Sequence, residues 1–232
     1  GYIGFFTRTA LAGMPLRINA GLRGTLTDVT TIGLRQNPTS LTVQPSDHTA
    51  FAVTFTPITQ VAAANSYESL LPSLDLALDV TDAWQMRFDV SRTTTKPPLN
   101  AIAPVLSMGN IQRVGSLVAS SGNPGLTPYE SVNIDFSAAW YYGPNSYASI
   151  NAFTKQVTNF IVQGSVRQTI NGVIYPSTGQ PALFTVTTSV NGPAANVYGA
   201  EFAVQHLFDD SGFGFQANAT LVDTDTPYNQ IG

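Results

Sequence analysis

Apolar residues recur at every second position over long stretches of this chain, and this period constrains its fold more than any other feature. From Leu16 to Leu26 the even positions are apolar or glycine, while Arg17, Asn19 and Arg23 occupy odd positions. A β-strand turns successive side chains to opposite faces, so the pattern predicts strands with one apolar and one polar face. The same alternation is found in segments 74–80, 84–91, 134–142, 198–205 and 213–221.

The composition excludes several classes of function. Charged residues make up only 10% of the 232 residues, against roughly 25% in an ordinary soluble domain. Lys and Arg number 10 against 14 for Asp and Glu, so the chain lacks the basic excess with which proteins bind nucleic acid. The chain has no cysteine, which excludes a disulfide framework and a thiolate metal site. We therefore predict no nucleic-acid partner.

No catalytic or metal-binding group can be assembled from the sequence. The two histidines, His48 and His206, are far apart in the chain. Nucleophile, base and orienting residue cannot be matched to one another. We predict that the protein is not an enzyme and has no catalytic residues, no metal and no cofactor.

The lengths of strands and connections favour a membrane barrel over a soluble β-sandwich. Several alternating runs are about twice as long as the 5–6 residues usual for soluble strands, and a tilted strand crosses a bilayer in about 9–11 residues. No apolar run reaches the roughly 20 residues of a helical span. Short turns alternate with long connections, as in bacterial outer-membrane barrels. The predicted turns are Gly13–Pro15, Thr81–Ala83, Gly143–Ser146 and Asp209–Gly212, and the long connections are Thr31–Ser66, Thr93–Glu130 and Gln163–Ala194.

Aromatic residues cluster beside the predicted short turns. Rings of this kind form girdles at the membrane–water interface of barrels, although they can also cap a core near its turns. The residues concerned are Trp84, Trp140, Tyr141, Tyr142, Phe208 and Phe213.

The two faces of the strands predict two environments. We expect the apolar positions to face lipid and the charged positions to face the lumen, where they pair across strands or contact another domain. The lipid-facing set is Leu16, Ile18, Leu22, Trp84, Met86, Phe88, Phe136, Phe202 and Phe215. The lumen-facing set is Arg17, Arg23, Arg87, Asp89, Asp135 and Glu201.

A succession of short motifs resembles the barrel of TonB-dependent outer-membrane receptors. Each motif is weak alone, but their order and spacing are fairly specific from about residue 67 to residue 225. Lys96 stands before Pro97 where the family usually has Arg, and Gly125 stands where it has an acidic residue or Asn. The motifs are Leu71–Leu76, Leu78–Asp82, Met86–Phe88, Ser91–Thr93, Pro97–Leu99, Gly122–Ser131, Trp140–Tyr142, Ala152–Ile161, Val190–Gly192 and Val197–Glu201.

The resemblance implies an all-β fold, an antiparallel transmembrane barrel of 22 strands that is closed by an N-terminal plug domain. Residues 1–232 contain no segment that looks like a plug or a TonB box. We therefore expect one barrel domain over residues 1–232, contributing about eight strands to the larger barrel. Its first strand, near Gly1–Thr9, and its last, near Phe213–Asp223, are then expected not to pair with each other.

The resemblance also implies a function in the outer membrane of a Gram-negative bacterium. The expected activity is energised uptake of a siderophore, a saccharide or a similar scarce nutrient. The expected partners are outer-membrane lipid, the small-molecule or oligosaccharide ligand, and the TonB system, which acts through the plug. A passive porin-like or structural outer-membrane barrel is the alternative, and a soluble secreted β-sandwich adhesin is a less favoured one.

The long connections are expected to carry ligand recognition. Aromatic rings stack on sugars or aromatic chelators, while Arg and Gln hydrogen-bond anions and hydroxyl groups. The same residues could instead only order their loops. The candidates are Asn110, Gln112 and Arg113 in the second long connection, and Arg167, Gln168, Tyr175 and Phe184 in the third.

Overall fold

A computed structural model describes residues 1–208 and 211–226, and this part of the chain is built of β-strands. None of these residues forms a helix long and apolar enough to cross a membrane. The strands are β1 (Tyr2–Leu11), β2 (Met14–Arg35), β3 (Pro38–Gln44), β4 (Asp47–Phe55), β5 (Thr59–Asp79), β6 (Trp84–Thr95), β7 (Leu106–Ser107), β8 (Ile111–Arg113), β9 (Val118–Ser121), β10 (Tyr129–Gly143), β11 (Ser146–Thr158), β12 (Ile161–Ile174), β13 (Pro181–Asn191), β14 (Ala195–Leu207) and β15 (Gly214–Asp225).

Eight long strands form one antiparallel sheet, which we call the wall. Their order is β1-β2-β5-β6-β10-β11-β14-β15, so each strand lies beside the next long strand of the chain. The first and last strands, β1 and β15, are the edges of this sheet and do not pair with each other within the described residues. The expected number of strands and the separation of the two terminal strands are confirmed.

The short turns all lie at one end of the wall, as predicted. The strand register shows this, because Leu16 pairs with Leu78, Trp84 with Trp140 and Tyr147 with Gln205 beside the turns.

The first turn is formed by Ala12 and Gly13, slightly earlier in the chain than the predicted Gly13–Pro15. Ala12 and Gly13 both have positive φ, 50° and 84°, as a two-residue hairpin turn requires, and Met14 already belongs to β2. Asp209 and Asp210 of the fourth predicted turn lie outside the described residues, but Leu207 pairs with Gly214 on either side of it.

The register sorts the side chains of the wall into two faces. Leu76, Phe88 and Phe136 lie directly opposite one another on three neighbouring strands. One residue away on each strand, Asp75, Asp89 and Asp135 form the equivalent row on the other face. The nine apolar positions predicted to face lipid share the first face, and the six charged positions predicted to face the lumen share the second.

A row of aromatic rings runs along the apolar face at the short-turn end. Trp84 and Trp140 are stacked with ring centroids 5.8 Å apart, and Tyr142 lies 4.8 Å from Trp140. His206 continues the row, since its Nδ1 lies 3.2 Å from the Tyr142 hydroxyl and its ring lies 4.6 Å from that of Phe208. The clustering of aromatic residues near the turns is therefore confirmed for this row.

One glycine of the wall is required by close packing. Gly199 lies directly opposite Phe153, and an added Cβ would lie 2.8 Å from the Phe153 ring and 2.3 Å from the Leu221 carbonyl oxygen. A larger residue at 199 would therefore displace β15 or the ring. This requirement explains the glycine of the Val197–Glu201 motif in physical terms.

The opposite end of the wall is more ordered than the sequence predicted. The segment 31–66 was expected to be a connection, but β2 continues to Arg35 and β5 begins at Thr59. The 22 residues of β2 are about twice the 9–11 residues with which a strand crosses a bilayer. At about 3.3 Å per residue, β2 extends about 70 Å. The β2–β5 hairpin is therefore much longer than a bilayer crossing requires.

The three long connections fold together into two small sheets. One contains β3, β4 and β8, and the other contains β12, β13, β9 and β7, with β9 parallel to β13. Buried side chains from both sheets form one apolar core, so the two sheets pack against each other. We call this unit the sandwich, and its core includes Leu41, Phe51, Leu106, Ala119, Ile170, Val173, Phe184 and Val186.

A pair of adjacent substitutions tests the two faces of the wall. In the complete gene product, Phe88→Arg is expected to reduce the free energy of unfolding by roughly 2–4 kcal/mol, because it places a charge in hydrocarbon. Asp89→Arg is the matched control, since it lies on the polar face and is expected to cost much less. Unfolding from lipid vesicles measures both, and equal losses would contradict the assignment of the faces.

The open edges of the wall lead to a second prediction. Unpaired strand edges in hydrocarbon leave backbone groups without partners, each at a cost of several kcal/mol. Residues 1–232 produced alone are therefore expected to aggregate or be degraded. A heat-modifiable, detergent-stable monomer in which β1 pairs with β15 would show that the chain closes by itself.

Candidate functional site

The polar face of the wall carries a belt of charged groups near its short-turn end. Arg17 donates a hydrogen bond from Nη2 to Oδ1 of Asp79 at 2.9 Å, and the two side chains are each about one third exposed. Arg87 donates from Nε to Oε1 of Gln85 at 2.9 Å. Two of the predicted lumen-facing arginines are thus each held by a neighbouring side chain on the polar face.

A row of three carboxylates lies beside this belt. Asp75, Asp89 and Asp135 are directly opposite one another on β5, β6 and β10. Directly opposed residues have Cβ atoms about 4.5–5.5 Å apart, a distance at which like charges repel. Ser91 donates to Oδ1 of Asp89 at 3.3 Å, but no ion pair to any of the three carboxylates is found among the described residues. The polar face thus carries an uncompensated acidic strip.

Two of the seven predicted ligand-binding residues belong to the interior of the sandwich. Phe184 is fully buried and Gln112 is 2% exposed. Both ends of the Gln112 side chain are hydrogen-bonded within the protein, since Nε2 donates to the Gly109 carbonyl and Oε1 accepts from the Val118 amide. Neither side chain is exposed on a loop, because each packs or hydrogen-bonds within the protein.

Two further candidates hold the parts of the sandwich together. Arg113 contacts Oδ2 of Asp47 and Oγ1 of Thr49, both at 3.0 Å, and so joins β8 to the start of β4. Hydrogen bonds from Thr49, assisted by Arg113, hold the pKa of Asp47 below its ordinary value. The Tyr175 ring packs edge-on against Phe51, with centroids 5.1 Å apart.

The remaining three candidates are exposed at different places. Asn110 lies in the connection before β8, and Arg167 and Gln168 lie on β12. Gln168 lines a cavity of about 490 Å³ together with Arg35 and Asn171. The structure therefore does not bring the seven candidates into one site, and a role for the exposed ones in binding stays a prediction.

A separate cavity of about 420 Å³ lies where the sandwich meets the wall. It is bordered by the start of β10, at Tyr129, and by the start of β12. Its other side is the face of the four-stranded sheet that points away from the sandwich core. Polar side chains from that sheet face and from the wall line the cavity. They are Ser107, Ser120, Gln163, Thr187, Ser189 and Tyr129.

A glycine–asparagine pair fixes the segment that borders this cavity. An added Cβ on Gly122 would lie 2.1 Å from the Ala103 carbonyl oxygen, so only glycine permits this approach. Asn123 then donates from its amide to Ala101 O at 2.7 Å and from Nδ2 to Ser189 O at 3.0 Å. The Gly122–Ser131 motif thus attaches the second long connection to β13 beside the cavity.

Sequence reasoning missed the lining of this cavity. The signal was present in part, because Gln163 on β12 and Thr187 and Ser189 on β13 follow the strand period, and Tyr129 lies in a quoted motif. The pairing of β9 with β13 joins residues about 67 positions apart, and local patterns do not show such a contact.

Neighbouring residues of β13 test the structural role of Phe184. Phe184→Ala is expected to destabilise the sandwich by about 3–5 kcal/mol, since it removes a fully buried ring. Leu183→Ala is the control, because Leu183 is 60% exposed on the opposite face and its loss should change stability by less than about 0.5 kcal/mol. Hydrogen exchange of the complete gene product measures both, and the wall strands should be unaffected. Equal protection in both variants would contradict the sandwich core.

Comparisons with solved structures support the fold. A ferric enterobactin receptor mutant from Pseudomonas aeruginosa, in complex with enterobactin, is 17% identical with a TM-score of 0.54, and the match covers 95% of this chain and 35% of that chain. The siderophore receptor PirA from Acinetobacter baumannii is 13% identical with a TM-score of 0.52, covering 95% of this chain and 36% of that chain. The chain thus spans about a third of the length of these structures. At such identities the likeness shows the fold alone.

The family comparison covers nearly the whole chain. No curated protein matches the sequence. A family model described as TonB dependent receptor-like, beta-barrel matches residues 4–231, which includes the wall and the sandwich. The wall is also an antiparallel sheet whose short and long connections lie at opposite ends, as in outer-membrane barrels. The chain therefore belongs to the family of TonB-dependent receptor-like β-barrels, which are transport receptors of the Gram-negative outer membrane.

Proposed function

We propose that this chain is part of an outer-membrane receptor that imports a scarce nutrient, such as a siderophore or a saccharide, with energy delivered through TonB. The observation that carries the proposal is the combination of a membrane wall with a folded sandwich and cavity at the end away from the short turns. The likeness to a ferric enterobactin receptor and to a siderophore receptor supports uptake of a siderophore-like nutrient.

The position of the cavity suits capture from outside the cell. In barrels of this kind the short turns face the periplasm and the long connections face the medium. The cavity of about 420 Å³ then opens at the outer rim, within the size range of about 300–1,000 Å³ that is usual for ligand sites. Exposed Asn110, Arg167 and Gln168 lie in the same outer region and are proposed to contact the ligand on its way in.

The wall is proposed to form one barrel domain over residues 1–232, with the plug contributed by chain outside these residues. The acidic strip supports this, because three opposed carboxylates without an ion pair are more stable beside basic groups of another domain. Arg17, Arg23, Arg87, Asp89, Asp135 and Glu201 all lie on the face that such a domain would contact.

Transport that depends on TonB distinguishes this function from a passive channel. Cells that produce the complete protein are expected to accumulate its ligand only when TonB is present, since the plug must be moved by the inner-membrane system. The purified protein in a planar lipid bilayer is expected to show no steady conductance, because the plug fills the lumen. A stable open pore, together with uptake that persists without TonB, would support a porin-like barrel and contradict the proposal.

A further inference from the structure

The cavity beside the sandwich is lined by rows of hydroxyl groups. Ser107 pairs with Ser120, Ser120 with Thr187, and Thr187 with Ser165, so one row of four hydroxyl side chains crosses all four strands of the sheet. The first three of these side chains, on β7, β9 and β13, line the cavity. Ser189 and Gln163 pair in the next row, and Gln163 Nε2 donates to Ser189 Oγ at 3.0 Å. Side chains directly opposite in register share a face, so these groups present one continuous polar surface.

No charged side chain lines this cavity in the part of the chain that the structure describes. Arg167 lies on the same sheet face, one row further along β12, and does not border the cavity. Glu130, next to Tyr129, forms an ion pair with Arg92 on the other face of the wall. The surface that a ligand meets is therefore electrically neutral, with hydroxyl groups beside the apolar side chains of Pro98, Val105 and Ile161.

A neutral hydroxyl surface selects for one kind of ligand. Each hydroxyl can donate one hydrogen bond and accept others, which matches ligands that also donate and accept at every position. An anion in such a cavity loses hydration without gaining a counter-charge, and sites for anions use Arg, Lys or charge-assisted hydrogen bonds instead. Polar groups placed to bind hydroxyls also reject analogues that lack them.

Tyr129 adds a flat apolar surface to one wall of the cavity. Its ring packs edge-on against Phe160, with centroids 5.8 Å apart and planes at 65°, so the contact fixes the ring orientation. A ring held in this way offers a face on which a sugar ring can stack, and its hydroxyl adds a further hydrogen-bonding group.

We propose that the ligand captured in this cavity is an uncharged, polyhydroxylated molecule, an oligosaccharide by chemical class, and not an anionic ferric chelate. This inference rests on the proposed function and specifies the substrate of the same receptor. It differs from what the names of the similar solved structures suggest, because it follows from the residues that line this cavity.

The test uses the complete receptor, purified in a detergent without a sugar head group. The first set of probes is an array of neutral, uronic-acid and sulfated oligosaccharides. The second probe is ferric enterobactin, which represents the anionic chelates. Ser120→Ala/Thr187→Ala removes two hydroxyls from the central row. Thr42→Ala/Ser116→Ala is the matched control, since both residues are exposed and lie away from the cavity.

A neutral oligosaccharide is expected to bind, and its dissociation constant should rise about tenfold or more in the Ser120/Thr187 variant because two hydrogen bonds are lost. The control variant should bind as the unmodified receptor does. Binding should also change little between about 0.05 and 0.5 M salt, since screening weakens only ionic contacts. Binding confined to ferric enterobactin or charged glycans, or no binding of any neutral glycan, would overturn the proposal.

Uptake by cells that produce the complete receptor, with and without TonB, distinguishes the proposal about the ligand from the proposal about energised transport. Accumulation of ferric enterobactin that depends on TonB would contradict the inference about the ligand but support the transport function. Entry of a bound neutral oligosaccharide without TonB would do the reverse, because the ligand class would stand and the energised mechanism would fail.

Discussion

Every backbone N–H and C=O group in the hydrocarbon of a membrane needs a hydrogen-bonding partner within the protein, and this requirement organises the rest of the structure. Between its two edge strands, the wall meets it by pairing each long strand with the next long strand of the chain. Consecutive antiparallel pairing then forces the turns to alternate between the two ends. Short turns suffice at one end, and the chain length available at the other end is free to form the sandwich.

The same pairing separates two chemical environments. Because the side-chain period is two, a single register places Phe88 on the apolar face and Asp89 on the polar face. The apolar face ends in the aromatic row beside the short turns, where Trp84, Trp140 and Tyr142 can contact both lipid and water. The polar face carries the acidic strip, which under the proposed function would lie beside basic groups of the plug. One sheet thus carries both environments, an apolar face and a polar one.

The sequence was sufficient to predict the wall, because the bilayer imposes a local period that is visible in single strands. Leu76, Phe88 and Phe136 reveal their shared face before any pairing is known. The sandwich could not be predicted in this way, since no bilayer constrains its composition. Phe184 resembles an exposed aromatic of a recognition loop, and only its contact with a core from distant strands, including Phe51 and Leu41, shows that it is buried. The cavity was missed for the same reason: Ser120 and Thr187 become neighbours only through a parallel pairing between distant strands.

The most direct test of the account is the accessibility of consecutive positions along β10. The chain has no cysteine, so single cysteines from Asn133 to Ala138 can each carry a spin label that is unique within these residues. In the complete protein in lipid, collision rates with oxygen and with a water-soluble nickel complex should alternate with a period of two. Labels at Ile134, Phe136 and Ala138 should favour oxygen, and labels at Asn133, Asp135 and Ser137 should favour nickel. An absence of this period, or the opposite phase, would contradict the assignment of the wall to the membrane.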